Sequence, residues 1–401
     1  MSAGRWALAL NCGSSSIKFA LFDARAEPMP ETAAWRGEVE GIGTPQATLR
    51  EGAAATPLPA GAASTFACAV QTVCGRVDAW LGGRPLAYVA HRVVHGGGRF
   101  AGPVRVDAGV LAALRAVSPM APLHQPAALD AIETFLRQGP DLPQVAGFDT
   151  AFHATLPAVE TMLPLPPMSP ELRRYGFHGL SYDYVAHRLR RGIGSCTVGR
   201  VIVAHLGNGA SLCALRNLRS VATTMGFSAL DGLMMGTRCG SIDPGLLLHL
   251  LEHEGYTPRT LADLLYHRAG LLGVSGLSAD LRQLLAPDAG RRAQDAVALY
   301  VHRIVREIGA MTAVLGGLDM LVFTAGVGEH SAEVRSRVCD RLGHLGLRLD
   351  AAANAGHRAT ISAYGSRVRA CVVRTNEEWI LATQARAALA ATVARTAVVQ
   401  A

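Results

Sequence analysis

Two short turns of small residues hold the side chains best placed to do chemistry. The first is Asn11-Cys12-Gly13-Ser14-Ser15-Ser16-Ile17-Lys18, just after the apolar run Trp6-Ala7-Leu8-Ala9-Leu10. The second is His205-Leu206-Gly207-Asn208-Gly209, between apolar runs at 200–206 and 211–216. A turn of Gly, Ser and Asn can aim backbone N–H groups into one concavity, which suits phosphate oxygens. Lys18 is the sole lysine among 38 lysine and arginine residues. Arginine is a flat, bulky fork and lysine a compact charge on a flexible stem. Lys18 therefore either marks a place where only an ammonium fits against a phosphate, or is a chance survivor in an arginine-biased chain. Several nucleotide motifs are excluded. The lysine follows Ile17, so there is no Gly-Lys-Ser/Thr loop and no protein-kinase strand lysine. Gly41-Ile42-Gly43 and Gly326-Val327-Gly328 both lack the third glycine of a dinucleotide fingerprint.

The elements that must position these turns follow from hydrophobic spacing. Residues 6–11 and 17–22 read as strands joined by the first turn, and 200–206 and 211–216 as strands joined by the second. The spacing predicts helices at 65–81, 107–117, 124–137, 244–254, 258–268, 291–315 and about 377–395. Buried strands are expected at 86–95, 144–149, 319–325 and 369–374. The segment 41–64 reads as a loop or edge hairpin, and Leu163–Pro170 as a connector. Strand, small-residue turn and strand thus recur about 190 residues apart, which predicts two similar α/β halves with a cleft between them.

Composition narrows the class. The 401 residues are 50% hydrophobic and 17% charged, an ordinary globular balance. Apolar runs stop well short of the roughly 18–20 residues that span a bilayer, and no extended apolar signal core is seen before Asn11, so a cytoplasmic protein without a membrane segment is expected. The eight cysteines show no metal-type spacing and read as buried, reduced thiols. Net charge is +7, but aromatics are only 5%. The arginines are dispersed, and the longest basic cluster, Arg188-Leu189-Arg190-Arg191, reads as solvated surface rather than a nucleic-acid interface.

The first turn resembles the first phosphate loop of the acetate kinase family, and His205-Leu206-Gly207-Asn208-Gly209 resembles its second. The likeness continues in order through His91-Arg92-Val93-Val94-His95-Gly96-Gly97, Pro122-Leu123-His124, Phe148-Asp149-Thr150-Ala151-Phe152-His153 and Tyr175-Gly176-Phe177-His178-Gly179. It then includes Met234-Met235-Gly236-Thr237-Arg238, Ser275-Gly276-Leu277-Ser278-Ala279-Asp280-Leu281-Arg282, Phe323-Thr324-Ala325-Gly326-Val327-Gly328-Glu329 and Thr375-Asn376-Glu377-Glu378. Each tetrapeptide is weak alone; the ordered set is highly specific.

That resemblance implies an α/β protein of two related actin-like (ribonuclease H-like) domains binding ATP in a cleft between them. Residues 1–150, completed by a C-terminal helix at about 380–401, would form one domain and 151–380 the other. The activity implied is reversible, Mg²⁺-dependent transfer of a phosphoryl group from ATP to acetate, with Mn²⁺ an alternative metal and a homodimer as the assembly. Arg92, Asp149, His178 and Arg238 would be catalytic. Arg92 and Arg238 would clamp carboxylate and phosphoryl oxygens, and His178 would donate to the migrating group. Asn11 and Glu377 would hold the metal. Lys18, His205, Leu206, Gly207, Asn208, Gly209, Asp280, Leu281, Arg282, Gly326, Val327, Gly328, Glu329 and His330 would bind ATP, though Asp280 and Arg282 also suit a plain helix start. Val94, Leu123, Phe177 and Ala229 would line the acyl pocket. His91, His95, His124 and His153 would stand around the site at most.

The family marks Asp149 as the acid/base. A carboxylate substrate with a pKa near 4–5 has no proton to lose at neutral pH, so Asp149 is read first as orienting an arginine or the hydrated metal, and second as a base. Three positions depart from the family pattern. Ala229 stands where proline is usual, which predicts a slightly roomier pocket. One methylene is worth about 1–3 kcal/mol, which leaves acetate and propionate (or butyrate) open. His330 and Gln125 each replace a usual asparagine. A nucleotide-switched binding protein on the same fold would have no need of the set Arg92, Asp149, His178 and Arg238.

Overall fold

The structure is a computed structural model describing residues 4–13, 15–122, 124–166, 168–192 and 199–399. It divides into two compact units, one running to Phe152 and resuming at Asn376, the other His153–Thr375.

The first unit holds strands β1 (Trp6–Cys12), β2 (Ser16–Asp23), β3 (Trp35–Glu40), β4 (Thr48–Glu51), β5 (Ala54–Pro57), β6 (Leu86–Val93), β7 (Val104–Arg105) and β8 (Gln144–Phe148). They form one sheet in the order β5-β4-β3-β2-β1-β6-β8-β7. Strands β1, β6 and β8 are parallel, while β1–β2 and β2–β3 are antiparallel. Leu8 and Leu10 of β1, Val89 and Val93 of β6, and Ala146 and Phe148 of β8 face a core shared with helices Phe66–Leu81 and Gln125–Gln138. Helix Phe66–Leu81 buries Val70, Val73, Cys74, Val77 and Leu81, an i, i+3/i+4 stripe. It starts where Thr65 accepts from the Cys68 N–H and stops at Gly82, whose φ of 54° is the left-handed conformation glycine supplies cheaply. The opposite sheet face is covered by helix Glu377–Val399: the Tyr88 hydroxyl donates to the Ala382 carbonyl at 2.9 Å, and a Cβ on Gly147 would lie 2.6 Å from Leu381.

In the second unit, β9 (Arg200–Leu206), β10 (Ala210–Arg216), β11 (Arg219–Thr223), β12 (Met320–Thr324) and β13 (Arg369–Val372) form a sheet in the order β11-β10-β9-β12-β13. Its pairings run antiparallel, antiparallel, parallel, parallel. That is the order and direction of β3-β2-β1-β6-β8, so the repeated strand–turn–strand belongs to a repeated sheet. Helices Gly179–Arg190 and Arg291–Leu315 pack on it.

Strands β3 and β11 and helix Gly179–Arg190 were not read from the sequence. Residues 41–64 contain the β4–β5 hairpin; all four residues of β5 are exposed, so no apolar alternation marks it. Arg188 and Arg190 close helix Gly179–Arg190, where cations suit the helix dipole. The described cysteines are all free, but Cys68 and Cys239 are only partly buried; Cys196 lies outside the described residues. Among the described residues no helix is long and apolar enough to cross a membrane.

Candidate active site

Strand parity builds the cluster in the first unit. Side chains alternate across a sheet, so in β1 Asn11 shares the face of Ala7 and Ala9, toward helix Glu377–Val399. In β6 Arg92 shares the face of Tyr88, and Asp149 follows β8 in phase with Gly147. All three therefore emerge on one face at the carboxyl ends of parallel strands, where open α/β sheets place their ligands. Glu377 is the first residue of the covering helix. The four side chains meet. Arg92 grips Asp149 with both prongs, Nε to Oδ1 at 2.8 Å and Nη2 to Oδ2 at 2.5 Å. Arg92 Nη1 donates to Asn11 Oδ1 at 2.8 Å and lies 3.8 Å from Glu377 Oε2. Asn11 Nδ2 donates to Glu377 Oε2 at 3.2 Å.

The cluster is short of positive charge. Burial pushes the Glu377 carboxyl up to about 7; Arg92 pulls it down, and Asp149 and Glu378 push it further up. Burial lowers the Arg92 pKa, but Asp149 and Glu377 more than offset this and raise it overall. Among the described residues no three His, Cys, Asp or Glu side chains form a metal cage. What converges is hard oxygen: the Glu377 and Asp149 carboxylates and the Asn11 amide. Mg²⁺ commonly takes one or two carboxylates and completes its shell with phosphates and water, so the donor set and the charge deficit both fit that ion. Lys18, paired across from Asn11, is half exposed and 3.9 Å from Glu38 Oε1. Val94 is buried in this unit.

In the second unit His178 precedes helix Gly179–Arg190 with a φ of 58°, left-handed backbone that few side chains adopt. Its ring stacks on His205 with centroids 4.0 Å apart. His178 Nδ1 lies 2.8 Å from Ser211 Oγ, and His205 Nδ1 2.9 Å from Ser181 Oγ. Arg238 Nη1 donates to the Ala229 carbonyl at 2.7 Å. A Cβ on Gly209 would sit 3.1 Å from Arg238 Nη2 and 3.2 Å from His178 Nε2. Arg238 Nη2 and His178 Nε2 thus converge over the turn, and glycine leaves that space open. The Asn208 carbonyl accepts from the Gly236 N–H at 3.2 Å, tying the turn to the segment carrying Arg238.

Gly326, Val327, Gly328, Glu329 and His330 lie in the short helix Ala325–His330 after β12. Glu329 Oε1 accepts from the N–H groups of Ala325 at 2.9 Å and Thr375 at 3.0 Å, so this carboxylate braces the turn. His330 is 66% exposed. Asp280 caps helix Leu281–Leu284 and pairs with Arg282, Nη2 to Oδ2 at 2.6 Å, while Leu281 is buried. Phe177 is buried and its carbonyl lies 2.9 Å from His153 Nε2; Leu206 and Gly207 complete the turn after β9. Leu123 lies outside the described residues.

Three supporting residues were missed. Arg174 Nη1 donates to the carbonyls of Thr223 and Met225 at 3.2 and 3.0 Å and stands 3.7 Å from Asp231, bracing the segment that leads to Ala229. Arg335 is wholly buried and donates to the carbonyls of Gly328 and Glu329, both at 2.9 Å. Its spacing with Val334, Val338 and Cys339 puts it on the buried stripe of helix Ala332–Asp340, a signal visible in the sequence. The third, Tyr182, gives no such signal: a buried tyrosine in an apolar helix face looks like core.

Two α/β units with the same strand order, glycine turns at strand ends and convergent arginine and histidine donors define the actin-like phosphotransferase class. Within that class, the family model described as "Acetokinase family" matches residues 6–383, and the chain belongs to that family. It is 49% identical over 385 residues to an acetate kinase of Rhodopseudomonas palustris, covering 94% of this chain and 96% of the relative. With an acetate kinase of Rhizobium meliloti it shares 44% over 391 residues, 96% and 98% of the two chains. Among solved structures, a propionate kinase from Francisella tularensis superposes with a TM-score of 0.86 at 33% identity, covering 94% and 98% of the chains. Porphyromonas gingivalis acetate kinase gives 0.83 at 35%, covering 96% and 99%.

Proposed function

We propose that this chain is an acetate kinase, transferring the γ-phosphoryl group of ATP to acetate to give acetyl phosphate and ADP, reversibly, in the cytoplasm. The observation that carries this reading is the convergence of Arg238 Nη2 and His178 Nε2 over Gly209. Phosphoryl transfer spreads charge over equatorial oxygens and is catalysed chiefly by positioning and positive charge. Two donors fixed over a phosphate-type turn supply both. Arg238 is anchored by its bond to the Ala229 carbonyl, and its Nη2 end reaches the space over Gly209. Arg92, locked by Asp149, offers a fixed cation for an anionic oxygen. Acetate is already ionised at neutral pH, so attack needs no proton removed, and Asp149 is assigned to orienting Arg92. The turns at 11–18 and 205–209, with Lys18, bind phosphate oxygens, and Glu329 shapes the turn at 326–330 for the nucleotide. Asn11 and Glu377 would hold Mg²⁺, which when bound neutralises phosphate charge. Phe177 and Ala229 of the second unit are assigned to the methyl side of the acetate site.

Helix Pro244–Glu252 has no buried residue, and Leu246 and Leu248 are 47% and 57% exposed. We assign this exposed apolar helix to a homodimer contact. The test of function is a coupled assay with acetate, propionate and butyrate side by side; no phosphoryl transfer to any of them would sink the reading. Light scattering on Leu248→Glu checks the dimer, with a monomer expected.

A further inference from the structure

Behind His178 lie two buried hydroxyls that the proposed chemistry does not use. Tyr182 stands four residues after His178, and its N–H donates to the His178 carbonyl at 3.1 Å. Ser211 is directly opposite His205 in the β9–β10 register and therefore shares its sheet face. Both residues have no solvent exposure. Tyr182 Oη lies 2.5 Å from Ser211 Oγ, and Ser211 Oγ lies 2.8 Å from His178 Nδ1.

A serine hydroxyl has a single proton. A buried phenol stays protonated, and burial, then Cys213, pushes the Tyr182 pKa well above the usual value. If Tyr182 donates to Ser211, the serine proton is directed to Nδ1, and the ring proton must reside on Nε2. We propose that Tyr182 and Ser211 form a positioning relay that holds His178 in the neutral Nε2–H tautomer. That tautomer turns a donor, rather than a lone pair, toward the point over Gly209 where Arg238 Nη2 also arrives. This rests on reading that point as the seat of the migrating phosphoryl group, whose anionic oxygens need donors. Among the described residues, the polar groups around the relay include the stacked His205 ring, the Arg238 guanidinium, and His153 and Cys213 beside Tyr182.

The test is ¹⁵N-histidine NMR on the full chain, with His178 assigned by its loss in His178→Gln. The native spectrum should show a single neutral tautomer, unprotonated at Nδ1. Ser211→Ala should give mixed tautomers and Tyr182→Phe a smaller shift the same way, whereas Ser211→Thr, which keeps the hydroxyl, should match the parent. In the coupled assay Ser211→Ala should lose roughly fivefold to tenfold in kcat, the scale of one hydrogen bond, with KM for ATP and acetate unchanged. A native ring protonated at Nδ1, or identical tautomers in the parent, Ser211→Ala and Tyr182→Phe, would overturn the relay. If a variant fails to fold, the native tautomer alone decides. A correct tautomer in a chain that phosphorylates no carboxylate would instead overturn the acetate kinase reading and leave the relay standing.

Discussion

Arg335 offers a stringent test, because its guanidinium is buried and has no carboxylate partner among the described residues. Its Nε donates to Asn354 Oδ1 at 2.8 Å, Nη1 to the Gly328 and Glu329 carbonyls at 2.9 Å, and Nη2 to the Asn354 carbonyl at 2.8 Å and His357 Nδ1 at 3.0 Å. Burial holds its pKa below the usual arginine value. Arg335→Met keeps the apolar stem and removes every donor, leaving the carbonyls of Gly328, Glu329 and Asn354 without it. Each unsatisfied buried acceptor costs about 1–3 kcal/mol, together about 3–9 kcal/mol. Removing a buried charge returns several kcal/mol, so the net loss should be about 3 kcal/mol. For a unit of this size that lowers Tm by roughly 6–12 °C. Arg335→Lys, with three donors on one nitrogen, cannot serve both Asn354 and the 328–329 carbonyls and should recover less than half. Because those two carbonyls belong to the turn proposed to bind the nucleotide, KM for ATP should rise while KM for acetate holds. Near-UV melts and steady-state kinetics on the same preparations measure both effects. A Met variant that melts within about 2 °C of the parent, with an unchanged KM for ATP, would refute the argument: the cost of burying the guanidinium would then cancel its bonds.

Other expectations follow from the clusters in each unit. Glu377 has a folded pKa of about 7, above the ordinary carboxylate value of about 4.3. Between those values the folded chain holds a proton that the unfolded chain has lost, so stability falls as pH rises through that window, by roughly 3 kcal/mol. In EDTA, Glu377→Gln should flatten that slope between pH 5 and 8; a mutant with the parental slope would show that the carboxyl is not raised. Gly209→Ala should push apart the Arg238 and His178 tips, which a Cβ would meet at 3.1 and 3.2 Å, costing on the order of a hundredfold in kcat with little change in Tm. Asp149→Asn should lower kcat without removing an ionisation of the enzyme–substrate complex near neutral pH; loss of such an ionisation from the pH–rate profile would restore the base role. Lys18→Arg should raise KM for ATP and leave Tm unchanged, since the exposed Glu38 pairing is worth about 1 kcal/mol or less; unchanged kinetics would make the sole lysine an accident.

How far the sequence could be read depended on how local each signal is. The hairpin turns, the long helices and the recurrence of strand–turn–strand are all local patterns, and each appears near its expected position. The β4–β5 segment was read as a loop or edge hairpin, since the exposed β5 carries no alternation, while helix Gly179–Arg190 escaped notice although Tyr182, Val185, Ala186 and Leu189 form a buried i, i+3, i+4, i+7 stripe. The candidate site divides the same way. Asn11, Arg92 and Asp149 each sit at a strand's carboxyl end on the parity opposite the leucine and valine core, so strand counting alone could have put them on one face. The chemical argument that acetate has no proton to lose led to the reading of Asp149 as an orienting residue, and in the structure Arg92 contacts Asp149 through both prongs. Parity stops helping at the relay. Tyr182 and Ser211 stand 29 residues apart, and each reads as core in its own element. Only the register that sets Ser211 opposite His205, combined with the helical turn from His178 to Tyr182, brings both hydroxyls to one imidazole. Register depends on how the chain closes in space, so the residues that prepare His178 stay hidden in a sequence that displays His178 itself.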